Sequence, residues 1–369
     1  GKKYLDAVAG IATCSLGHSD RLLRKKLSAQ LKKIQHISNL YNIEEQEVLS
    51  KLLTNSSCAE SVFFCNSGAE AIESAIKLIK KYGNNKDNSK ESLILAAESS
   101  FHGRTIGALS ATGQPKYQKG FEPLLSGFRF FKYNKIDSIR KIFSECINNK
   151  QIISGIIIEP IQGEGGVIPG EKEFFRELRE LCDKNDTLLI LDEVQSGVGR
   201  TGKMWGYENL GIEPDAFTLA KGLGGGHPIG ALLVNKKANI FNPGDHASTF
   251  GGNPFACRAA ITVLEEIKRR NLLQNVISRG NQIEEGLSQM ASDFPHIIKG
   301  RRGMGLLQGI VLQENSIDLK SVTSKAFDNG LLIVAAGSNV IRIVPPLTIS
   351  RNETKQLLKK LYSIFKDFC

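Results

Sequence analysis

Thr187-Leu188-Leu189-Ile190-Leu191-Asp192-Glu193 and, after an intervening stretch, Asp215-Ala216-Phe217-Thr218-Leu219-Ala220-Lys221 decide the reading of this chain. Each is a short, nearly continuous apolar run, the pattern of a strand covered on both faces. Each then stops abruptly at a charged side chain. Working outward, similar runs stand at Ser61–Cys65, Ser92–Ala97, Gly155–Ile158 and Gly230–Val234, with helical stretches such as Ala69–Lys81 and Glu171–Lys184 between them. Strands alternating with helices predict an α/β architecture around a mostly parallel sheet.

After Asn253 the pattern changes. Helices are expected over about Pro254–Arg270 and Leu273–Ser292, and a strand at Gly305–Leu312. A helix follows near Lys320–Asn329, then strands at Leu331–Val334 and Val340–Val344, and a last helix from Asn352 to Phe368. This half reads as a smaller α+β unit. No internal repeat is visible, and Gly83–Lys90 reads as a low-complexity surface loop.

Length and composition bound the function. At 369 residues, two domains are the natural expectation. Hydrophobic residues make up 41% and charged residues 23%, and no run nears the roughly 18 apolar residues of a membrane helix. The opening Gly1-Lys2-Lys3-Tyr4-Leu5-Asp6 leads into no apolar signal region and reads as a strand or turn inside a fold, from which a trimmed start or a removed transit segment is expected. Seven cysteines without a C-x-x-C pair argue against a disulfide framework or a zinc site, and no metal is expected. The net charge of +10 is spread over predicted helices, as in Arg21–Lys26 and Lys77–Lys81, so a solvated basic face is read rather than a nucleic-acid tail.

In open parallel sheets ligands bind beyond the carboxyl ends of the strands. Here those ends carry Asn66-Ser67-Gly68-Ala69, Phe101-His102-Gly103-Arg104, Glu159-Pro160, Asp192-Glu193 and Lys221. A lysine leaving an apolar strand is a desolvated amine suited to Schiff-base chemistry, although a surface lysine at a turn has the same local sequence. The glycines 222 and 224–226 follow Lys221 rather than precede it, which excludes a P-loop. Asp192 needs a partner if buried. It is read either as an ion pair or cap, or as the group that keeps the pyridine nitrogen of pyridoxal 5'-phosphate protonated. Ser67-Gly68-Ala69 opens a helix, where backbone N–H groups hold a phosphate, and Ser67 with Glu70 also fits a capping box. Phe101 suits stacking on a planar ring, and Arg104 suits a bidentate carboxylate clamp. Glu159 and Glu164 lie in a glycine-rich loop, and Arg342 is an arginine in an apolar strand that requires an acidic partner or an anionic ligand.

The motifs NSGAEA (66–71), FHGR (101–104), EPIQGEGG (159–166), DEVQSG (192–197), KGLGGG (221–226) and STFGGNP (248–254) resemble those of the class III, fold-type-I aminotransferases, in the same order over nearly the whole chain. His36–Tyr41, Gly113–Tyr117 and Arg302–Leu306 carry a narrower similarity to the acetylornithine aminotransferases within that class. The resemblance implies a large domain with a mostly parallel seven-stranded sheet over residues 35–256, and a small domain from residues 1–34 and 257–369. It implies pyridoxal phosphate as cofactor, with Lys221 as Schiff-base lysine and proton shuttle and Asp192 on the ring nitrogen. Gln195 would lie near the phenolic oxygen, and His102, Glu193 and Val194 would belong to the same cofactor set. Ser67, Gly68 and Ala69 would hold the phosphate, Phe101 would pack on the ring, and Thr249 would reach the phosphate of the other subunit of a homodimer. Arg104 would take the substrate α-carboxylate, Arg342 a second carboxylate with Glu164 as its gate, and Ser248 would lie close to the substrate. The implied reaction transfers the δ-amino group of N2-acetyl-L-ornithine to 2-oxoglutarate in arginine biosynthesis; ornithine, succinylornithine and 4-aminobutyrate are the rival donors, and a non-enzymatic nucleotide- or nucleic-acid-binding protein is the remote alternative. The expected setting is the cytoplasm, or a plastid or mitochondrial matrix, with neither membrane nor nucleic acid as partner. Ile72 and Ser19-Asp20 depart from the family pattern, which bears on the dimer or the substrate entrance.

Overall fold

A computed structural model describes residues 1–87, 89–314 and 316–369. Its larger sheet has seven strands: β1 (Ser61–Cys65), β2 (Ser92–Ala97), β3 (Phe128–Phe131), β4 (Ile152–Ile158), β5 (Leu188–Asp192), β6 (Ala216–Leu219) and β7 (Gly230–Val234). Their order is β1-β7-β6-β5-β4-β2-β3, and β7 alone runs opposite to the other six. Every residue of β5 and β6 is buried, as expected for strands with helices on both faces. The accompanying helices are α1 (Arg21–Leu31), α2 (Glu44–Thr54), α3 (Gly68–Lys86), α4 (Ile136–Asn148), α5 (Lys172–Lys184) and α6 (Pro254–Arg269), with α1 packed on α6. Burying that apolar surface stabilises at about 25 cal/mol per Å², and it fixes the strand ends that carry the charged residues.

A second, antiparallel sheet has the order β8-β9-β11-β10, from β8 (Ile298–Met304), β9 (Leu307–Leu312), β10 (Val334–Ala336) and β11 (Val340–Ile343). It is accompanied by α7 (Leu272–Asp293), α8 (Leu319–Asp328) and α9 (Arg351–Lys366). Leu5–Asp6 pairs in parallel with Leu331–Leu332, so the expected strand Leu331–Val334 is divided between two sheets.

Three expectations need correction. The supposed loop at Gly83–Lys90 is helix as far as Lys86, while residue 88 of that stretch lies outside the described residues. Gly83 does not mark a turn: a Cβ there would lie 2.2 Å from Ser154 Oγ and 2.4 Å from Ser92 Oγ, so its smallness lets α3 approach the sheet. The edge strand β3 escaped notice because Arg129 interrupts its apolar run, pairing with Glu145. The strand expected at Gly305–Leu312 begins at Leu307, because Gly305 (φ +56°) and Leu306 turn a hairpin from β8, itself obscured by a polar, glycine-broken, bulged sequence. The two departures from the family pattern have local roles. Ile72 is fully buried, and Asp20 caps α1 through the Leu22 and Leu23 N–H groups while pairing with Arg270.

Candidate active site

The carboxyl ends of β1, β2, β5 and β6 open on one cavity of about 420 Å³. Lys221 enters it from the turn after β6 with φ +36°, a left-handed conformation that is costly for a residue with a Cβ and is typical of functional sites. Burial lowers its pKa, with Glu164 opposing and Arg342 adding. The amine is therefore neutral over a wider pH range than a surface lysine.

Asp192 enters from the end of β5. Its Oδ2 accepts a hydrogen bond from Nδ1 of the buried His102 at 2.7 Å. Its Oδ1 accepts from Val194 N at 3.0 Å and from Thr218 Oγ1 at 3.2 Å. The His102 backbone N–H in turn donates to Thr112 Oγ1 at 2.9 Å. Burial opposes protonation of His102, but the Asp192 carboxylate outweighs it and the pKa rises. Its Nε2 has no hydrogen-bond partner among the described residues.

At the start of α3, Ser67 Oγ accepts from Glu70 N at 3.2 Å. The Glu70 carboxylate reaches back to Asn66 N and Nδ2, one residue beyond the expected capping box. Gly68 and Ala69, whose N–H groups open α3 without partners inside the helix, line the cavity. Gly230 passes so close that a Cβ would lie 2.3 Å from Ser67 O, which excludes any larger residue there.

Phe101 and Arg104 form another wall. The Arg104 guanidinium lies 4.1 Å from the Tyr117 ring centroid and 5.4 Å from that of Phe101. Glu159 lies below, accepting from Phe101 N and Gly163 N, both at 3.2 Å; burial pushes its pKa up to about 7 against the pull of His102. Gln195 lines the cavity and connects it to a charged pair behind. Arg342 Nη1 donates to Gln195 Oε1 at 2.9 Å and to Glu164 Oε1 at 2.5 Å. Burial pushes Glu164 up, but Arg342 more than offsets it and the pKa falls.

The residues predicted from sequence are thus brought together with five exceptions. The Glu193 side chain points away from the cavity, accepting from Gly206 N and Tyr207 N at 2.5 and 2.7 Å; alternate residues past a strand face opposite ways. Thr249 is exposed and outside its own chain's cavity. Ser248 lies against Asn66, accepting from its Nδ2 at 3.2 Å, rather than on the cavity wall. Glu164 and Arg342 sit behind Gln195. Sequence reasoning missed Thr13 and the His227–Ile229 segment as cavity wall. Thr13 follows four successive left-handed residues, Ala9 to Ala12, and Ser15 Oγ donates to Gly222 O at 2.8 Å, tying this segment to the Lys221 turn. No short-range pattern marks such a segment, because L-residues rarely adopt it in succession.

The Glu193 environment makes one prediction about stability. Burial pushes its carboxyl up to about 8, although the two amides pull it down. Folded Glu193 therefore keeps its proton above the unfolded value of 4.5. Its contribution is fully present below that value and is lost as pH rises through about 8. Glu193→Gln does not titrate, so its urea-unfolding free energy should fall less than the wild type's between pH 6 and 9, by more than about 1 kcal/mol. Parallel pH profiles for the two proteins would contradict this placement.

Comparison with known proteins agrees with the geometry. The family described as aminotransferase class-III matches residues 1–365. The chain belongs to the class-III aminotransferases. It is 75% identical over 367 residues to the acetylornithine aminotransferase of Prochlorococcus marinus subsp. pastoris, covering 100% of this chain and 88% of that protein. Among solved structures it resembles the N-acetylornithine aminotransferase of Stenotrophomonas maltophilia, with TM-score 0.86, 34% identity and coverage of 100% and 92%. It also resembles the ornithine aminotransferase of Toxoplasma gondii, with TM-score 0.93, 28% identity and coverage of 99% and 86%. The fold is common to both activities, so the choice of donor resides in the pocket.

The cofactor of this family is pyridoxal phosphate, and the cavity fits it. Helix N–H groups stand at one side for a phosphate, the Asp192 carboxylate for a protonated ring nitrogen, the Lys221 amine for a carbonyl, and Phe101 for the ring face.

Proposed function

We propose that this aminotransferase moves the δ-amino group of N2-acetyl-L-ornithine to 2-oxoglutarate, giving N-acetyl-L-glutamate 5-semialdehyde and L-glutamate. The observation that carries the reading is an asymmetry between two arginines. Arg104 is exposed at the cavity wall and, among the described residues, held only by aromatic rings, whereas Arg342 is buried and already neutralised by Glu164. An amine donor with one carboxylate and an uncharged acetamido group needs one open arginine. A dicarboxylate acceptor needs both. The acetylornithine aminotransferase names of the relatives support the same donor.

Pyridoxal phosphate, when bound, supplies the carbonyl that receives the amino group and a ring that draws electrons from the substrate carbon. The residues of the chain do the rest. Asp192, oriented by His102, Val194 N and Thr218, would keep a proton on the ring nitrogen. Lys221 would take the proton from the δ-carbon and pass it to the cofactor carbon that bore the carbonyl, its lowered pKa favouring the neutral, basic amine. Arg104 would fix the α-carboxylate, so that the reacting carbon is held in place. Glu164 would leave Arg342 when the acceptor's second carboxylate arrives, and one pocket would serve both substrates in turn.

Two further features of this reading concern assembly and setting. A homodimer is proposed in which Thr249 reaches the phosphate end of the other subunit's site; Leu40, Tyr41 and Phe250 are 87%, 65% and 58% exposed and give that face an apolar character. The seven free cysteines suit a reducing compartment, the cytoplasm.

The test is a screen of the first half-reaction. Holoenzyme is mixed separately with acetylornithine, ornithine, succinylornithine and 4-aminobutyrate without acceptor, and the change in cofactor absorbance is followed. Acetylornithine should lead by at least about tenfold in kcat/KM. A lead for another amine would reassign the donor.

A further inference from the structure

The loop that carries Glu164 is flanked by two arginines, and only one of them has a function so far. In the smaller sheet, Gly309 of β9 is paired with Arg302 of β8 on one side and with Arg342 of β11 on the other. Directly opposed residues share a face, so the two arginines project from the same side of the sheet with a glycine between them. The glycine leaves room for the loop: a Cβ on Gly309 would lie 3.1 Å from Val167 Cβ. The segment Gly163–Val167 therefore crosses the sheet between the two arginines.

Their partners differ. Arg342 holds Glu164 and Gln195. Arg302 presses its guanidinium on the far side of the loop, with Nη2 only 2.7 Å from where a Gly166 Cβ would be. Arg302 Nε is buried and has no hydrogen-bond partner among the described residues. Burial alone lowers the Arg302 pKa, with no carboxylate offsetting it. A half-buried cation without a counter-ion is unfavourable unless something pairs with it in another state.

Glu164 has the same problem in reverse. Once displaced from Arg342, its carboxylate loses its ion pair at a site where its side chain is 20% exposed. Glycines at 163, 165 and 166 adjoin it, and Gly166 has φ +111°, so the loop has the backbone freedom to re-aim it. We propose that Arg302 is the second seat of Glu164: the carboxylate pairs with Arg342 while the amine donor is bound and crosses to Arg302 when a dicarboxylate claims Arg342. This rests on the gate reading given above. Arg302 is then a positioning residue, acting on the acceptor through Glu164 and never touching the substrate.

The test measures the two half-reactions separately in holoenzyme. Arg302→Met should raise KM for 2-oxoglutarate roughly tenfold, with its limiting rate and the amine half-reaction changed less than twofold. Arg302→Lys should restore most of the affinity, since charge rather than shape is required. In a Glu164→Gln background, Arg302→Met should cause no further loss, because no carboxylate needs seating. Three results would overturn the proposal: an unchanged KM for 2-oxoglutarate, equal losses in both half-reactions, or a full loss persisting with Glu164→Gln. L-Glutamate and 2-oxoglutarate alone suffice for the acceptor measurements, so a wrong amine donor would be seen independently.

Discussion

Lys221→Ala is expected to lower transamination by at least about 10⁴-fold, the upper range for loss of a general acid–base group, and to abolish covalent attachment of the cofactor. The case rests on three properties that coincide at this one side chain. It lies in the cavity, its burial lowers its pKa, and its backbone is held at φ +36° by the glycine-rich turn that follows. A surface lysine would have none of them. The deciding readout is intact mass after borohydride treatment of protein mixed with pyridoxal phosphate: the wild type should gain one reduced cofactor adduct, and the variant none at residue 221. Retention of that adduct, or of more than about one per cent of the rate, would remove Lys221 from the role assigned to it. The fold should survive the change, because truncating this side chain removes a costly buried amine rather than a core packing group.

The second large effect concerns Asp192, and two substitutions separate its tasks. Asp192→Ala leaves His102, Val194 N and the Thr218 hydroxyl without their acceptor in a buried site. Breaking a buried charged pair from one side costs about 3–5 kcal/mol, so this variant should unfold at clearly lower denaturant concentration. Asp192→Asn keeps the shape and an acceptor oxygen but loses the negative charge. It should fold nearly as well yet lose roughly 10²–10³-fold in kcat, the scale of removing one aligned electrostatic group. Its signature is selective: the rate falls while cofactor content, measured by absorbance, is largely kept. Equal damage from both substitutions would mean that Asp192 serves the fold rather than the ring nitrogen. His102 enters the same argument, since its Nδ1–H orients the carboxylate from behind.

Much of this site was legible because parallel strands covered on both faces must be continuous apolar runs, and such runs end visibly. Leu188–Leu191 stops at Asp192, and Ala216–Ala220 stops at Lys221. The helix start at Ser67–Ala69 was legible for a similar reason, as small and capping residues are required there. Glu193 shows where that legibility ends. It follows Asp192 in the motif, yet its carboxylate is turned to the amides of Gly206 and Tyr207. The order of residues at a strand end names the candidates, but the alternation of side chains between opposite faces selects among them. Ser248, next to Asn66, and Gly83, a contact rather than a turn, were decided instead by packing between segments far apart in the chain.

By itself, then, the sequence determined the α/β class, the set of charged strand ends, the family and the chemistry that an amine and a carboxylate on neighbouring strands can support. Those properties depend on local periodicity and residue type, which are written in consecutive positions. Only the tertiary structure decided that Thr13 reaches the cavity from a left-handed turn, that Arg342 lies behind Gln195, and that Arg302 faces the same loop from the other side of Gly309. Each of these is a contact between segments far apart in the chain. It is set by sheet register and by which side of a strand a residue occupies, and a shift of one residue in pairing would turn every such side chain to the opposite face.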